Sequence, residues 1–170
     1  MRVNIALLTV TDTRTLKTDK SGNILVKKIN KAGHNLVERE ICKDSKKDIK
    51  KILKIWIKIK KIDVIITTGG TGLTGRDITP EAIDEIADKK IPGFGEIFRY
   101  VSLSTVGTSS IQSRACAVLA NGKYVFALPG SSGGVTDAWD KILVHQLNIK
   151  HKPCNLSLIH ISEPTRQPNI

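Results

Sequence analysis

Apolar residues along the chain form short runs of strand length that alternate with stretches of helical periodicity. Two runs, VNIALLTV at 3–10 and DVIITT at 63–68, are almost continuously apolar, which is typical of strands buried in a parallel sheet. Residues 36–41 alternate apolar with charged side chains, as a half-exposed strand does. The segments ACAVLA and KYVFAL flank Asn121-Gly122, a pair that accepts positive φ at both turn positions and therefore predicts a β-hairpin.

Helical periodicity fills the intervals between these strands. The first helix should have its body at Ile24–Lys31 and end before Gly33, a residue that readily adopts left-handed backbone. A later helix should begin near Thr79, which can cap it while Pro80 takes the first helical position. The segment IPGFG at 91–95 should break the chain before a short apolar-periodic piece. Two further helices, one rich in lysine and one near the end of the chain, place their apolar residues on one face: Ile49, Ile52, Leu53, Trp56 and Ile59 in the former, and Val135, Ala138, Trp139, Ile142, Leu143 and Leu147 in the latter.

The alternation of strands and helices predicts an α/β fold of three layers, with a mostly parallel sheet flanked by helices and one β-hairpin. A chain of 170 residues suits one such domain, which we place at 1–155. The tail at 156–170 continues none of the periodic patterns. Its first part, LSLIHISEPTR at 156–166, resembles the in-frame translation of a common sequencing-library adapter, so we hypothesise that the natural C-terminus was lost at the end of a sequence fragment.

The sequence lacks the usual signals of export and of membrane insertion. No apolar run reaches about 18 residues, and the N-terminal apolar run meets a Thr-Asp cluster before any cleavage pattern forms. We therefore expect a cytoplasmic protein that does not bind a membrane. The three cysteines are widely spaced and form no CxxC pair, so neither a disulfide framework nor a zinc site is indicated.

The formal net charge of +11 raises the alternative of a nucleic-acid-binding protein, because clustered lysines neutralise phosphates. Lysine heavily outnumbers arginine, however, aromatic residues make up only 4%, and no recognition helix or stacking platform is visible. Much of the charge lies in KDSKKDIKKILKIWIKIKK, whose apolar spacing favours a helix packed on the core with a solvated basic face. A nucleic-acid or membrane-binding element is the less favoured interpretation of that helix. We expect no nucleic-acid partner.

The strand DVIITT runs directly into the glycine-rich segment GGTGLTG, and glycines after a buried strand let backbone N–H groups approach an anion. The helix that begins near Thr79 would add the positive end of its dipole. Between them, Arg76 could contact a phosphate and Asp77 could hold Mg²⁺ that bridges phosphate oxygens. A glycine-rich turn without function explains GGTG equally well. The segment is neither a Walker A loop nor a dinucleotide-binding GxGxxG motif.

Three further loops should reach the same edge of the predicted sheet: TVTDTR after the first strand, ICKDS after the second, and LPGSSGG after the hairpin. Asp12 and Asp44 could bind metal or orient a substrate, or could simply cap turns. Ser131 and Ser132 could donate to a phosphate or cap the final helix. Arg114 could face a phosphate or form a surface salt bridge. The four histidines form no ligand pattern, and no Ser-His-Asp or Cys-His nucleophile system is legible.

In this order and spacing, the segments TVTDTR, TTGGTGLTGRDITPEA, IPGFGEIFR, GTSSIQSRA, LPGSSGG and KPCN resemble the MoaB/MogA family of molybdenum cofactor biosynthesis proteins. IPGFGEIFR, SIQSRA and KPCN are more similar to its MoaB branch. The resemblance implies a molybdopterin adenylyltransferase, a nucleotidyltransferase that converts Mg-ATP and molybdopterin to adenylylated molybdopterin and pyrophosphate. It also implies a homo-oligomer, either a trimer or a hexamer. A catalytically silent molybdopterin-binding or scaffold protein is the alternative.

The resemblance also implies roles for individual residues. The catalytic acids would be Asp77, which would bind Mg²⁺, and Asp44. Some MoaB-branch proteins lack the acid corresponding to Asp77, whereas GRDITPEA retains it. The loop LPGSSGG departs from the more usual LPGSTGA and is more flexible. The implied substrate-binding positions are Gly69, Gly70, Thr71, Gly72, Arg76, Asp12, Gly130, Ser131 and Ser132, with Asp12 and Ser131 in loops on the pterin side.

Overall fold

A mixed six-stranded sheet forms the centre of the structure, a computed structural model that describes residues 2–156. Its strand order is β2-β1-β3-β6-β5-β4, in which the first four strands are parallel and the last two pairings are antiparallel. The predicted α/β class, the mostly parallel sheet and the hairpin are confirmed. The strands are β1 (Asn4–Val10), β2 (Asn35–Cys42), β3 (Val64–Thr68), β4 (Lys89–Lys90), β5 (Cys116–Ala120) and β6 (Lys123–Leu128).

Helices pack on both faces of this sheet. A 3₁₀ segment at Gly107–Gln112 follows the longest helix, and a π-helical turn at Trp139–Leu143 joins the last two. The helices are α1 (Lys20–Lys31), α2 (Lys46–Trp56), α3 (Thr79–Ile86), α4 (Pro92–Val106), α5 (Ser132–Ala138) and α6 (Val144–Gln146).

The sheet separates two apolar clusters, because successive side chains of a strand point to opposite faces. Ile5 and Leu7 of β1 pack with α1, α4 and the last helices, whereas Ala6 and Leu8 pack with α2 and α3. The apolar face predicted for the last helix is buried throughout, from Val135 to Leu147. In the lysine-rich helix α2, Ile49, Leu53 and Trp56 are buried and Ile52 is partly buried. The predicted helical pattern extends to Ile59, but the helix ends at Trp56 and the partly buried Ile59 lies beyond it. The three-layer prediction is therefore confirmed.

Helix α1 begins at Lys20, earlier than the predicted body at Ile24. Its cap is Asp19, whose carboxylate accepts a hydrogen bond from the Gly22 N–H at 2.9 Å. Ser21, Gly22 and Asn23, which precede the predicted body, belong to the first turn of the helix. The predicted end is confirmed, since Gly33 has φ +81° just beyond the last turn.

The segment IPGFG does not break the chain, contrary to our expectation. Helix α4 begins at Pro92 and runs for 15 residues. Proline fits the first helical turn because its missing N–H would have no partner there. Gly95 lies against the neighbouring strand, where a Cβ would come within 2.5 Å of the Ala115 carbonyl oxygen. Pro92 therefore suits the start of the helix and Gly95 permits its close packing, and the helix ends at Gly107, which has φ +60°.

The prediction that Thr79 caps α3 is wrong. Thr79 is the first residue of that helix, and Ile78 occupies the cap position without a side-chain hydrogen bond. The Thr79 hydroxyl instead donates to the Gly69 carbonyl oxygen at 2.9 Å, so it ties the helix to the preceding loop. Strand β4, two exposed residues long, is too short to leave a periodic pattern and was not predicted.

The carboxyl ends of β1, β2, β3 and β6 lie at one edge of the sheet, as expected of parallel neighbours. The loops that follow these strands are the four singled out from the sequence. In the described range, no helix combines the length and apolarity needed to cross a membrane. Apart from Leu156, the predicted tail at 156–170 lies outside the described residues.

Candidate functional site

The loop after β3 turns sharply at two glycines with positive φ, Gly69 at +103° and Gly70 at +72°. A Cβ on Gly69 would lie 2.2 Å from the Val10 carbonyl oxygen of β1. On Gly70 it would lie 2.3 Å from the Thr79 hydroxyl oxygen. Side chains are excluded at both positions, so the backbone of this loop packs directly against β1 and the start of α3.

Arg114 fixes the rest of the loop from the opposite side. Its backbone N–H donates to the Thr71 carbonyl oxygen at 2.9 Å, and its Nε donates to the Gly72 carbonyl oxygen at 2.7 Å. Its guanidinium also hydrogen-bonds the Asp77 carbonyl oxygen and forms an ion pair with Glu81. Of the two alternatives for Arg114, the structure shows the salt bridge. The side chain holds the glycine loop in shape.

Asp77 lies at the end of the same loop and is half-buried. Its Oδ2 accepts hydrogen bonds from the Thr74 N–H at 2.9 Å and from the Thr74 hydroxyl at 2.7 Å. Partial burial would raise the pKa of this carboxyl, but the Thr74 hydrogen bonds, with help from Gly72 and Arg114, outweigh burial and lower it. Asp77 therefore carries its negative charge at neutral pH, close to the backbone of Gly72.

Asp44 and Asp12 approach Asp77 from the loops after β2 and β1. The Asp44 N–H donates to Asp12 Oδ1 at 3.1 Å, which links the two loops. Partial burial raises the pKa of Asp44, and the negative charges of Asp12 and Asp77 raise it further. Arg76 forms an ion pair with Asp12 at 3.7 Å, but its side chain is 81% exposed. The three acids predicted from the sequence thus lie close together, and Arg76 lies beside them with its side chain exposed to solvent.

The second glycine loop packs against the first. A Cβ on Gly130 would lie 3.2 Å from the Cα of Gly69, so the two loops touch through their backbones. Ser131 caps α5, and its Oγ accepts a hydrogen bond from the Gly134 N–H at 3.1 Å. Ser132 is the first residue of that helix and is exposed. The capping alternative for Ser131 is therefore what the structure shows.

Two cavities meet at this junction and share the wall formed by Gly70, Asp77, Gly130 and Ser131. The smaller, about 430 Å³, lies among the loops after β1, β2 and β3 and also includes Asp44 and Ser132 in its walls. The larger, about 640 Å³, lies between the glycine loops, α4 and the 3₁₀ segment, and includes Thr71 and Gly72. Asp12 and Arg76 lie outside both linings.

Several residues of the two cavities were missed by sequence reasoning. Arg14 and Lys20 bring positive charge to the smaller cavity. Arg14 lies within the TVTDTR segment. Asp19, five residues further along the chain, is a typical cap residue and would have signalled a helix start at Lys20. Asp19 itself is 1% exposed and accepts hydrogen bonds from the Thr9 hydroxyl and from the Arg39 guanidinium. These hydrogen bonds hold Asp19 in place in the wall of the smaller cavity.

Among residues 2–156, no set of three His, Cys, Asp or Glu side chains is arranged to enclose a metal ion. Three carboxylates line the smaller cavity, and Asp19 is already engaged by Thr9, Gly22 and Arg39, so Asp44 and Asp77 are the two that could hold a metal ion. Mg²⁺ commonly uses one or two carboxylates and completes its coordination with waters and substrate phosphates. A closed protein cage is not needed for such a site.

Comparisons with known proteins agree on one family. A sequence-family model described as "Probable molybdopterin binding domain" matches residues 6–149. Molybdenum cofactor biosynthesis protein B of Escherichia coli (strain K12) is 41% identical over 151 residues, 89% of each chain. Its counterpart in Bacillus cereus is 42% identical over 146 residues, 85% of this chain and 86% of the relative.

Solved structures give the same result. A crystal structure of molybdenum cofactor biosynthesis protein B superimposes with a TM-score of 0.86 and 38% identity, covering 95% of both chains. The tungsten cofactor synthesizing protein MoaB from Pyrococcus furiosus superimposes with a TM-score of 0.72 and 34% identity, covering 84% of this chain and 91% of that one. By sequence, fold and the loops at the sheet edge, the chain belongs to the molybdenum cofactor biosynthesis protein B family.

Proposed function

We propose that this chain acts in molybdenum cofactor biosynthesis as a molybdopterin adenylyltransferase, which transfers the adenylyl group of ATP to molybdopterin. Family membership supports the role in this pathway. The site supports the specific reaction, because backbone donors suited to phosphates and two acids suited to a metal lie where two cavities meet. A two-substrate transfer needs such a junction, since both reacting groups must reach one point.

The convergence of Asp12, Asp44 and Asp77 on the glycine loop carries the proposal. The cluster has an excess of negative charge, because its three carboxylates meet one exposed cation, Arg76. Burial raises the pKa of Asp44, and the charges of Asp12 and Asp77 raise it further. A divalent cation would relieve that excess. Mg²⁺ held by Asp44 and Asp77 would neutralise charge on the ATP phosphates.

In the proposed reaction, a terminal phosphate oxygen of molybdopterin attacks the α-phosphorus of ATP. The new P–O bond forms while the bond from the α-phosphorus to the oxygen bridging to the β-phosphate breaks, and that oxygen leaves with its electron pair as pyrophosphate. Both reactants are anions, so N–H groups of Gly69 to Gly72 would offset their repulsion. The rigid loop would supply positioning, which is the larger part of catalysis in phosphoryl chemistry.

Pyrophosphate release from Mg-ATP, measured with and without molybdopterin, tests this proposal. The wild-type chain should release pyrophosphate only when both substrates are present. Asp77→Ala should lower the rate by about 100-fold or more, since removing one group that stabilises transition-state charge has effects of that order. Asp140→Ala is the matched control for loss of a carboxylate, because Asp140 is exposed, pairs with Lys28 and lines neither cavity.

The alternative of a catalytically silent molybdopterin-binding protein is favoured by one observation. The two hydrogen bonds from Thr74 show that Asp77 also holds its own loop together. Thr74→Val removes one of these bonds and keeps the carboxylate, so it separates the two roles of Asp77. If wild type releases no pyrophosphate, or if Thr74→Val slows release as much as Asp77→Ala does, the catalytic role fails and the binding role stands.

A further inference from the structure

The two cavities differ in their positively charged side chains. Arg14 and Lys20 line the smaller one, whereas none of the described residues lining the larger is a lysine, arginine or histidine. The larger cavity combines the apolar side chains of Phe98 and Val106 with hydroxyl groups such as that of Ser102. The walls formed by α4 suit a flat, uncharged ring, whereas the N–H groups suited to a phosphate belong to Gly70–Gly72, in the part of the cavity that adjoins the smaller one.

Asp137 is a carboxylate in the wall of this larger cavity and is only 7% exposed. Its Oδ2 accepts a hydrogen bond from the Thr105 hydroxyl at 2.6 Å, and its Oδ1 pairs with Lys141 Nζ at 3.1 Å. Each carboxylate oxygen can accept more than one hydrogen bond, so both retain capacity for a further donor. Thr105 belongs to α4 and Lys141 to the π-helical turn, so two different elements fix the orientation of the carboxylate.

We propose that Asp137 is a specificity-determining residue that accepts two parallel hydrogen bonds from a 2-amino-4-oxo-pyrimidine edge. That edge presents an amino N–H beside a ring N–H, a donor pair that matches the two oxygens of a carboxylate. Adenine does not match, because its amino group lies beside a ring nitrogen that is itself an acceptor. Phe98 and Val106 supply the apolar contact that a planar ring requires.

This inference rests on the proposed function and deepens it, since it names the part of molybdopterin that the larger cavity recognises. Pterins and guanine share the same edge, and the chemistry of Asp137 suits both. We assign the pterin as the occupant because the family model describes a molybdopterin-binding domain. A guanine nucleotide is the other source of this edge.

Fluorescence titration of the whole chain with 6-hydroxymethylpterin and with the corresponding lumazine, in which an oxo group replaces the 2-amino group, tests the inference. Wild type should bind the pterin about tenfold or more tightly than the lumazine, because the lumazine places an acceptor against the carboxylate. In Asp137→Asn the preference should disappear or invert, since an amide offers one donor and one acceptor. No preference in wild type, including no binding of either compound, overturns the proposal.

Lys141→Met is the matched control for a structural role. It removes the ion pair and the Lys141 contacts with α4 while leaving the Asp137 carboxylate in place. Thr105 still donates to Asp137 Oδ2 in this variant, so the preference should persist, and its complete loss in a folded protein overturns the proposal. Titration with GMP separates the two sources, since tighter binding of GMP than of the pterin overturns the pterin assignment. No ATP or transfer step enters these measurements, so a failed pyrophosphate assay leaves them unaffected.

Discussion

The two glycine-rich loops at the sheet edge have similar composition but are held by different means. In the loop after β3, Gly69 and Gly70 have positive φ, and a Cβ on either would lie within 2.3 Å of a neighbouring oxygen. In the loop after β6, Ser131 caps the following helix, and nothing lies within 4 Å of a Cβ placed on Gly133. The first loop needs glycine for its positive φ, whereas the second has no glycine with positive φ and is held by the helix cap and by close contacts at Gly130 and Gly134.

The loop after β3 is therefore the one that is fixed before a substrate arrives. The first is tied to β1, α3 and Arg114 by backbone contacts and hydrogen bonds, so its N–H groups have set directions. Preorganised donors of this kind are the ones that stabilise developing charge. The second loop has room for side chains at Gly133 and touches the first through Gly130. It forms a wall for both cavities rather than a rigid cradle.

Substituting one glycine in each loop gives the largest expected difference. Gly69→Ala places a Cβ against the Val10 carbonyl oxygen, a backbone atom that cannot turn away, and forces alanine into positive φ. We expect the free energy of unfolding to fall by about 3 kcal/mol or more. Gly133→Ala, within the first turn of α5, should instead raise it by about 0.5–1 kcal/mol because alanine is the better helix former. Urea denaturation of both variants measures the two effects.

Equal effects from the two substitutions would contradict the distinction between the loops. A Gly69→Ala protein as stable as wild type would show that the loop after β3 relaxes without cost. A large loss in Gly133→Ala would show that the loop after β6 is also tightly packed. Midpoints and slopes of the denaturation curves should be compared together, because a changed slope signals a change in the unfolded state.

The elements with regular patterns could be predicted from the sequence, and those set by tertiary contacts could not. The buried strands, the hairpin at Asn121-Gly122 and the edge where the loops meet followed from apolar periodicity and turn chemistry. The start of α1 was missed because the Asp19 cap looks like one more polar loop residue. Helix α4 was missed because glycines usually interrupt helices, and the reason for Gly95 is a contact with Ala115 from a distant strand.

The candidate site likewise contains residues that could be predicted from the sequence and residues that could not. The acids Asp12, Asp44 and Asp77 lie in loops that follow parallel strands, so their proximity could be expected from strand order alone. The positions of Arg114 and Thr79 could not, because each acts on the glycine loop through a contact that is remote in sequence. The position of Asp137 in a cavity wall could not be predicted either, since nothing in VTDAWD shows which side of the helix faces a cavity. The roles of the site residues remain predictions.

Removing the helix cap of the second loop should have an effect of intermediate size on stability. Ser131→Ala deletes the oxygen that accepts from the Gly134 N–H, so the free energy of unfolding should fall by about 1 kcal/mol. Ser132→Ala is the matched control, because Ser132 is exposed and follows the cap position, and its effect should stay within about 0.5 kcal/mol. Thermal unfolding of the two variants side by side measures the difference. Equal loss from both would show that the cap does not set the shape of this loop.

The smallest expected effect concerns the ion pair that holds the first loop. The hydrogen bond and charge of Arg114 lower the pKa of Glu81 in the folded chain. A carboxyl with a lowered folded pKa stabilises the fold above its unfolded pKa, near 4.5, and this contribution disappears as pH falls through the folded value. The Glu81 side chain is 47% exposed, so solvent screening limits the contribution to less than about 1 kcal/mol.

Melting temperatures of wild type and Glu81→Gln, recorded from about pH 3 to about pH 7, measure this contribution. This range extends below and above the unfolded pKa of about 4.5. The variant should melt at a lower temperature at pH 7 and should converge with wild type as the pH falls, since protonated Glu81 and glutamine are then equally uncharged. The gap at pH 7 should also narrow in high salt, which screens an exposed pair. A gap that persists at low pH would assign the effect to packing of Glu81 rather than to its charge. In that case Arg114 would hold the first loop through its bonds to Thr71, Gly72 and Asp77.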